Sequence, residues 1–272
     1  MTNREDGAGD DAAGIHERVS AQFGAVASAY TVSKVHADPE ALRQVVELAQ
    51  PRPTDLAIDI ATGAGHTALA LAPHVAKVVA YDMTEPMLRE TARNAAERGL
   101  ANVSTEQGIA EALPFPDASF DIVTVRQAPH HFADVRAAIR EMARVAKPGA
   151  RIVIVDSSSP EDPALASAWN HIEKLRDPSH VRNYSASEWR ATLAEAGLCV
   201  IFEETGFAAE DGGPMDFAAW VRRMNTPADS VAELTRLFRS ASPALAAALR
   251  IEIAPDGAIF FRVPLVTLAA LR

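Results

Sequence analysis

The 272-residue sequence has very little cysteine, with Cys199 as its single copy. A disulfide within the chain needs two cysteines and a cysteine-based metal cluster needs several, so the sequence excludes both. We expect Cys199 to be a small buried hydrophobic residue, as free cysteines commonly are. Aromatic residues make up only 6% of the chain.

Positive charge and long apolar runs are also scarce. Twenty-six Lys and Arg against 36 Asp and Glu give a formal net charge of −10, which disfavours a nucleic acid partner. No stretch approaches the roughly 18 apolar residues of a membrane span. Residues 1–14 lack the basic-then-apolar order of a signal peptide. We therefore expect a cytoplasmic protein.

What the sequence does have is core-forming material, because 48% of its residues are hydrophobic and 23% are charged. This balance is typical of a globular protein, and the length fits one large domain. The apolar spacing divides the chain into a disordered tail at 1–14, an N-terminal helical lid at 15–50 and a main domain at 51–272.

Within the main domain, short apolar runs alternate with helical patterns. We predict strands at residues 56–61, 78–81, 103–107, 120–125 and 152–155. This alternation predicts an α/β fold with a doubly wound, mostly parallel sheet. A further strand at 198–203 and an apolar run at 259–268 flank a helical insertion at about 216–249. Two spacings, Ser185 with Glu188 and Ser230 with Glu233, predict capping boxes.

A glycine-rich turn follows the first predicted strand. Gly63 and Gly65 let the backbone approach a ligand closely, and ligands of such sheets bind at the carboxyl ends of the strands. With Ala68 and Asp82 the turn also satisfies a loose dinucleotide pattern, so NAD is an alternative cofactor. Asp59 beside the turn would repel a pyrophosphate, which favours a cationic nucleoside without phosphate.

Acidic side chains follow the next two predicted strands. Asp82 could accept hydrogen bonds from both hydroxyls of a ribose, or instead cap the helix after it. Glu111, with a backbone amide of the preceding turn, could hold the edge of an adenine, or the segment could be a surface turn.

These segments, with Ser119-Phe120-Asp121 and the run from Arg140 to Gly149, resemble class I S-adenosylmethionine (SAM)-dependent methyltransferases. The resemblance is to the type 11 group, which includes the ubiquinone/menaquinone C-methyltransferases, and it covers residues 57–156. It implies a seven-stranded Rossmann-like sheet with an antiparallel last strand. It also implies SAM at the strand ends, contacted by Asp59, Ala61, Thr62, Gly63, Ala64, Gly65, Asp82, Met83, Met87, Ile109, Ala110, Glu111 and Arg126.

Two adjacent histidines follow the fourth predicted strand, where similar enzymes place residues beside the transferred methyl group. His130 or His131 could take a proton from a phenol or an activated carbon. Alternatively the pair only packs, and proximity alone drives transfer. Side chains of adjacent residues tend to point apart, so we predict no metal site.

Aromatic side chains outside the sheet could form the walls for a flat acceptor. They are Phe23, Tyr30, His36, Trp169, His171, Tyr184, Trp189, Phe217 and Trp220, of which Tyr30, His36, Trp169 and Tyr184 are the substrate-binding candidates. The acidic stretch at 203–216 is interpreted as a solvated loop, or alternatively as a segment near the entrance that favours a neutral or cationic acceptor.

The sequence thus predicts a SAM-dependent methyltransferase that transfers a methyl group to carbon or oxygen of a small aromatic or quinone-like molecule. Two alternatives stay open: an NAD-dependent oxidoreductase, and a SAM-binding module that has lost transfer. The predicted partner is a small-molecule acceptor, and a homodimer is left open.

Overall fold

A computed structural model describes residues 11–31, 37–208 and 213–272, with side chains up to residue 24 in the first stretch. The helices are α1 Ala12–Thr31, α2 Pro39–Ala49, α3 His66–Leu71, α4 Glu85–Glu97, α5 Val135–Val145, α6 Pro163–Arg176, α7 Ala186–Glu195, α8 Phe217–Arg223, α9 Ala228–Arg239 and α10 Pro243–Ala248. The strands are β1 Leu56–Ile60, β2 Lys77–Asp82, β3 Val103–Gln107, β4 Phe120–Arg126, β5 Ala146–Ser157, β6 Cys199–Ala208, β7 Met215–Asp216, β8 Glu252–Ile253, β9 Ile259–Phe261 and β10 Val263–Leu271.

Seven strands form the main sheet in the order β3-β2-β1-β4-β5-β10-β6. Strands β1 to β5 run parallel, and β10 is antiparallel to both β5 and β6. The predicted α/β fold with an antiparallel last strand is confirmed. The chain reverses strand order next to β1, which opens a crevice at the carboxyl ends of β1 and β4.

Helices cover both faces of this sheet because its central strands are apolar on both sides. One face packs Ile58 and Val123 against Ile139 and Met142 of α5. The opposite face packs other β1 and β2 side chains against α3 and α2, with Val45 of α2 in that core. Helix α2 is therefore part of the sheet's covering layer, and of the two N-terminal helices only α1 remains a candidate for the predicted lid.

Local signals account for several helix starts. Asp38 caps α2 with Pro39 in its first turn, Asp134 caps α5, and Ser185 forms the predicted capping box with Glu188. The second predicted capping box is wrong, because α9 starts at Ala228 and Ser230 already lies inside its first turn. Pro227 occupies the N-cap position there.

The insertion between β6 and β10 has its own small core. Trp169 of α6 packs with Trp220 and Phe238, and Phe261 of the three-stranded sheet β7-β9-β8 closes this cluster. The helices were predicted and the small sheet was not. Its strands β7 and β8 are two residues long, too short to show an alternating pattern.

Three further predictions need correction. Helix α1 begins at Ala12, inside the predicted tail, whose residues 1–10 lie outside those described. Cys199 is exposed, because it begins β6 at the edge of the sheet. Strand β6 continues to Ala208, so the first part of the predicted acidic loop is strand paired with β10. None of the described helices is long and apolar enough to cross a membrane.

Candidate active site

A cavity of about 930 Å³, counting the space toward its mouth, lies at the carboxyl ends of the parallel strands. We call it the strand-end cavity. The predicted cofactor-binding residues that line it are Asp59, Ala61, Thr62, Gly63, Ala64, Asp82, Met83, Met87, Ile109, Ala110, Glu111 and Arg126, and the catalytic candidate His131 lines it as well.

Asp59 organises the glycine turn from beneath. Its carboxylate accepts hydrogen bonds from the hydroxyls of Thr62 (2.6 Å) and Thr124 (2.7 Å) and from the backbone N–H of Ala68 (3.2 Å). Burial raises its pKa to about 6, against the opposing effect of these donors and of the nearby Arg126 guanidinium. Asp59 therefore shapes the turn and places negative potential beside the cavity.

The two glycines of the turn have different structural roles. Gly63 has φ +57°, and a Cβ added to it would meet no atom within 4 Å, so its missing side chain leaves room beside the cavity. Gly65 has φ +88°, and a Cβ there would fall 2.7 Å from Thr91 of α4. Gly65 packs the turn against α4 and does not line the cavity.

Asp82 ends β2 with its carboxylate at the cavity wall. One oxygen accepts from the N–H of Gly63 (2.9 Å) and the other from the N–H of Thr84 (2.8 Å). Burial raises the pKa of Asp82, and these two N–H groups oppose that rise. A carboxylate offers about four acceptor positions, more than these two N–H groups occupy, so acceptor capacity remains for a ligand. Thr84, not Asp82, is the N-cap residue of α4.

The loop that follows β3, which we call the third loop, contributes apolar surface to the cavity and is hydrogen-bonded to neighbouring segments. Tyr81 donates its hydroxyl to the carbonyl of Ile109 (3.2 Å), and Gly108 lies so close that a Cβ would fall 2.0 Å from that hydroxyl. Glu111 accepts from the N–H of Ala133 (2.9 Å) and lies 3.4 Å from His16. Its carboxylate thus links three segments around the cavity.

Helix α1 covers the strand-end cavity. His16, Val19 and Phe23, spaced three and four residues apart on one face, all line it. The helical spacing was recognised in the sequence, but His16 and Val19 were not assigned to the site. The other lining residues that were missed are His66, Thr67, Tyr81, Thr84, Gly108, Gln127, Ala128 and Phe132.

The two histidines occupy different environments. His130 places its Nδ1 2.6 Å from the buried Asp156 carboxylate and 3.2 Å from the Ser157 hydroxyl. Burial alone would lower the pKa of His130, but the Asp156 charge outweighs it and the net pKa is raised. Among the described residues, Nε2 of His130 has no hydrogen-bond partner.

His131 packs edge-on against Phe23, with ring centroids 4.9 Å apart, and its Nδ1 lies 3.1 Å from the carbonyl of Ser179. Burial and the neighbouring His130 lower the pKa of His131 to about 3. His131 is therefore neutral at physiological pH, with one ring nitrogen engaged by the backbone.

A second cavity opens beside the first, and we call it the insertion cavity. Phe23, Gln127 and His131 line both cavities, so the two adjoin at these side chains. The insertion cavity is also lined by His130, Ser157, Glu173, Arg176, Asp177, Ala208, Met215, Trp220, Arg223, Met224 and Val263.

Of the four substrate-binding candidates, the two whose side chains the structure describes, Trp169 and Tyr184, line neither cavity. Trp169 is fully buried in the insertion core. Tyr184 packs edge-on against Trp189 and under the Arg182 guanidinium, away from both linings. The side chain of Tyr30 and all of His36 lie outside the described residues. Phe23 and Trp220, from the wider aromatic set, do line the insertion cavity.

Known proteins are similar to this chain in both sequence and architecture. The methyltransferase domain family matches residues 58–154. The Bacillus subtilis protein named uncharacterized methyltransferase YcgJ is 42% identical over 224 residues, 81% of this chain and 85% of the relative. The YcgJ crystal structure aligns with a TM-score of 0.80 at 38% identity, covering 86% of this chain and 98% of the other. The fold and site define a class I methyltransferase, and the chain belongs to the methyltransferase domain family.

More distant relatives name a substrate or a cofactor. The ubiquinone/menaquinone biosynthesis C-methyltransferase of Ectopseudomonas mendocina is 36% identical over 132 residues, so the match spans about half of each chain. A geranyl diphosphate methyltransferase solved in complex with SAM has the same fold, with a TM-score of 0.56 at 19% identity over 86% of this chain. The protein is a SAM-dependent methyltransferase with SAM as its cofactor.

The residues of the strand-end cavity fit this cofactor. Asp82 offers free acceptor positions suited to a ribose diol, Gly63 leaves space where a side chain would stand, and Met83 and Ile109 provide apolar surface for a purine. Carboxylates outnumber guanidinium groups in this lining, which suits a sulfonium and disfavours a pyrophosphate. The oxidoreductase alternative loses its support.

Proposed function

We propose that the protein methylates a small aromatic or quinone-like molecule, at carbon or oxygen, in the insertion cavity. The observation that carries this proposal is His130 on the wall of a cavity that adjoins the cofactor's cavity, with the fully buried Asp156 carboxylate hydrogen-bonded behind it. An acceptor bound there would lie beside the strand-end cavity across His131 and Gln127. Transfer requires such adjacency, since holding two reactants together supplies much of the rate.

The His130 geometry supports a general base. Because Nδ1 lies 2.6 Å from the Asp156 carboxylate, Nδ1 carries the ring proton and donates a hydrogen bond to Asp156, which leaves Nε2 as an acceptor. When bound, SAM supplies an electrophilic methyl group on a sulfonium. Nε2 takes the acceptor's hydroxyl proton, and Asp156 stabilises the imidazolium that results.

The walls of the insertion cavity support a flat acceptor. Met215, Trp220 and Met224 contribute apolar and aromatic surface, while His130 and Glu173 contribute polar groups. An aromatic ring that bears an ionisable hydroxyl matches this combination. The partial likeness to a ubiquinone/menaquinone C-methyltransferase supports the same chemical class.

The test is methyl transfer from labelled SAM to two matched probes, 1-naphthol and 1-methoxynaphthalene. The two share a ring system, and only the first has a hydroxyl proton for His130 to remove. We expect turnover with 1-naphthol alone, with mass spectrometry and NMR of the product showing whether carbon or oxygen is methylated. Methylation of both probes at equal rates, or of aromatic amines but no hydroxyl compound, would contradict the proposal.

A further inference from the structure

Glu173 is a buried carboxylate on the wall of the insertion cavity, and the proton transfer described above does not use it. It lies in the last turns of α6 and is only 5% exposed, yet it lines the cavity. Glutamate is rarely this buried unless its charge is fully paired. The partners of Glu173 are therefore informative.

Its pairing within the protein is incomplete. Oε2 of Glu173 accepts a hydrogen bond from Arg176 at 3.3 Å, which is long beside the roughly 2.7–2.9 Å of a good charge-assisted bond. Arg176 is also held elsewhere, since its Nε donates to the carbonyl of Trp220 (3.2 Å) and its guanidinium stacks 4.6 Å above the Trp220 ring. Among the described residues, Oε1 of Glu173 has no hydrogen-bond partner.

The raised pKa of Glu173 agrees with this lack of hydrogen-bond donors. Burial raises the pKa of Glu173, and the positive charges of Arg176 and His130 only partly oppose that rise. Asp177, the next acid along the cavity wall, is better supplied, because its Oδ1 accepts from both the N–H (2.8 Å) and the hydroxyl (2.6 Å) of Ser179 and its Oδ2 lies 3.9 Å from Nε2 of His131. Glu173 is thus the less well paired of the two acids that line this cavity.

We propose that Glu173 accepts a hydrogen bond from a second O–H or N–H group of the methyl acceptor. The acceptor is then an aromatic compound with two donor groups, one that loses its proton to His130 and one that Glu173 holds. This inference rests on the proposed function and narrows its substrate class. Two fixed points on one ring also determine which atom faces the cofactor.

An acceptor with a single hydroxyl leaves Oε1 desolvated without a donor, and an oxidised quinone offers no donor at all. A site built to hydrogen-bond a substrate group discriminates strongly against an analogue that lacks it, because the buried partner is left unsatisfied. The buried carboxylate of Glu173 should therefore give a preference for acceptors with a second donor group, which an apolar wall would not produce.

The experiment compares 1-naphthol with 1,2-, 1,3- and 1,4-dihydroxynaphthalene, all kept reduced under argon. Turnover is measured as S-adenosylhomocysteine formation. Binding is measured separately, by titrating each compound into protein saturated with S-adenosylhomocysteine and following tryptophan fluorescence, since Trp220 lines the cavity. We expect at least one diol to exceed 1-naphthol about ten- to a hundredfold in kcat/KM and in affinity, as one hydrogen bond to a carboxylate permits.

Two variants of Glu173 and one matched control test the cause of that preference. In Glu173→Leu the ratio of diol to 1-naphthol should fall toward one, and in the isosteric Glu173→Gln it should fall less. Glu161→Gln makes the same chemical change at an exposed residue that accepts from Ser187 and lines neither cavity, so the ratio should stay at the wild-type value. SAM affinity checks that each variant is folded.

The outcomes separate this inference from the proposed function. If wild-type protein turns over none of the four compounds but binds a diol with a preference that Glu173→Gln weakens, the role of Glu173 stands and the acceptor chemistry of the proposed function fails. If 1-naphthol and all three diols bind and react equally, or the preference survives in both Glu173 variants, the inference is overturned.

Discussion

The strand-end cavity takes most of its walls from loops that directly follow β1, β2, β3 and β4, whereas the insertion cavity takes its distinctive walls from α6, α8 and β7. The first is a property of the sheet, since parallel strands bring their carboxyl ends to one edge. The second exists only once the insertion has packed around Trp169 and Trp220. One scaffold can therefore keep its cofactor chemistry while the insertion sets the acceptor.

Helix α1 is common to both cavities, so its removal should have the largest effect. Deleting residues 1–37 takes away His16, Val19 and Phe23 but leaves α2 with its cap Asp38. We expect turnover to be lost, because both ligands then lie open to water, while circular dichroism shows a folded sheet. A deletion of residues 1–10 is the control and should be silent. Full activity of the longer deletion would show that α1 is not a lid.

The histidine pair comes next, because His131 lines both cavities and His130 lines only the insertion cavity. His130→Gln should lower kcat about 10²- to 10⁴-fold with SAM affinity unchanged, since only the base is removed. His131→Gln should act more weakly, because the low pKa and the backbone contact of His131 fit a packing role. Equal losses in the two variants would contradict the assignment of His130 as the base.

The pH dependence of the wild-type enzyme sharpens the same assignment. On the proposed function, the base is the neutral imidazole of His130. Burial lowers the pKa of His130, but Asp156, aided by Glu173 and Asp177, outweighs burial and raises it above the usual 6.5. Activity should therefore rise with pH through a midpoint above 6.5 and level off once His130 is neutral. A rate profile that is flat across this range would leave proximity as the whole mechanism.

Within the strand-end cavity, Asp82→Ala should weaken SAM binding about ten- to a hundredfold, as expected for the loss of hydrogen bonds to a carboxylate. Acceptor affinity should change little, because Asp82 lines the strand-end cavity alone. Glu85→Ala is the control, since Glu85 pairs with Arg89 on the exposed face of α4. Calorimetric titration with SAM measures the affinity of both variants. If Asp82→Ala binds SAM as tightly as Glu85→Ala does, Asp82 is not part of the ribose site.

The contrast between the cavities also explains what the sequence could predict. Asp59 and Asp82 lie at the carboxyl ends of β1 and β2, and Gly63 follows β1 within a few residues, so strand prediction alone brings them together. Glu173 and Arg176 sit on α6 at a spacing that equally suits a solvent-facing ion pair, and only packing against α8 reveals their burial. No sequence period distinguishes the two cases.

The aromatic residues in the sequence also do not reveal which of them line the insertion cavity. Trp169 was expected at the substrate and lies in the core, whereas Trp220, in contact with the same cluster, also lines the cavity. Both are almost fully buried, so neither hydrophobicity nor size separates them. Their roles depend on how α6 and α8 cross, which is a tertiary property.

The smallest expected effect concerns the hydrogen bond between Tyr81 and the third loop, which forms part of the wall of the strand-end cavity. Tyr81→Phe removes the bond to the Ile109 carbonyl, and burial raises the Tyr81 pKa to about 12, so the lost group is a neutral donor. One such bond contributes about 0.5–1.5 kcal/mol, which should appear as a few degrees in Tm and about a threefold change in SAM affinity.

Gly108 provides a way to isolate that contact. Gly108→Ala places a Cβ 2.0 Å from the Tyr81 hydroxyl and 2.8 Å from Cζ, so it should destabilise the protein by about 1–3 kcal/mol. In the Tyr81→Phe background the nearest clash is gone but the ring remains, so we expect the same substitution to cost less without becoming neutral. A double-mutant cycle in thermal unfolding measures the difference. Strict additivity would mean that the third loop moves aside freely, and the wall of the strand-end cavity would then be as adaptable as that of the insertion cavity.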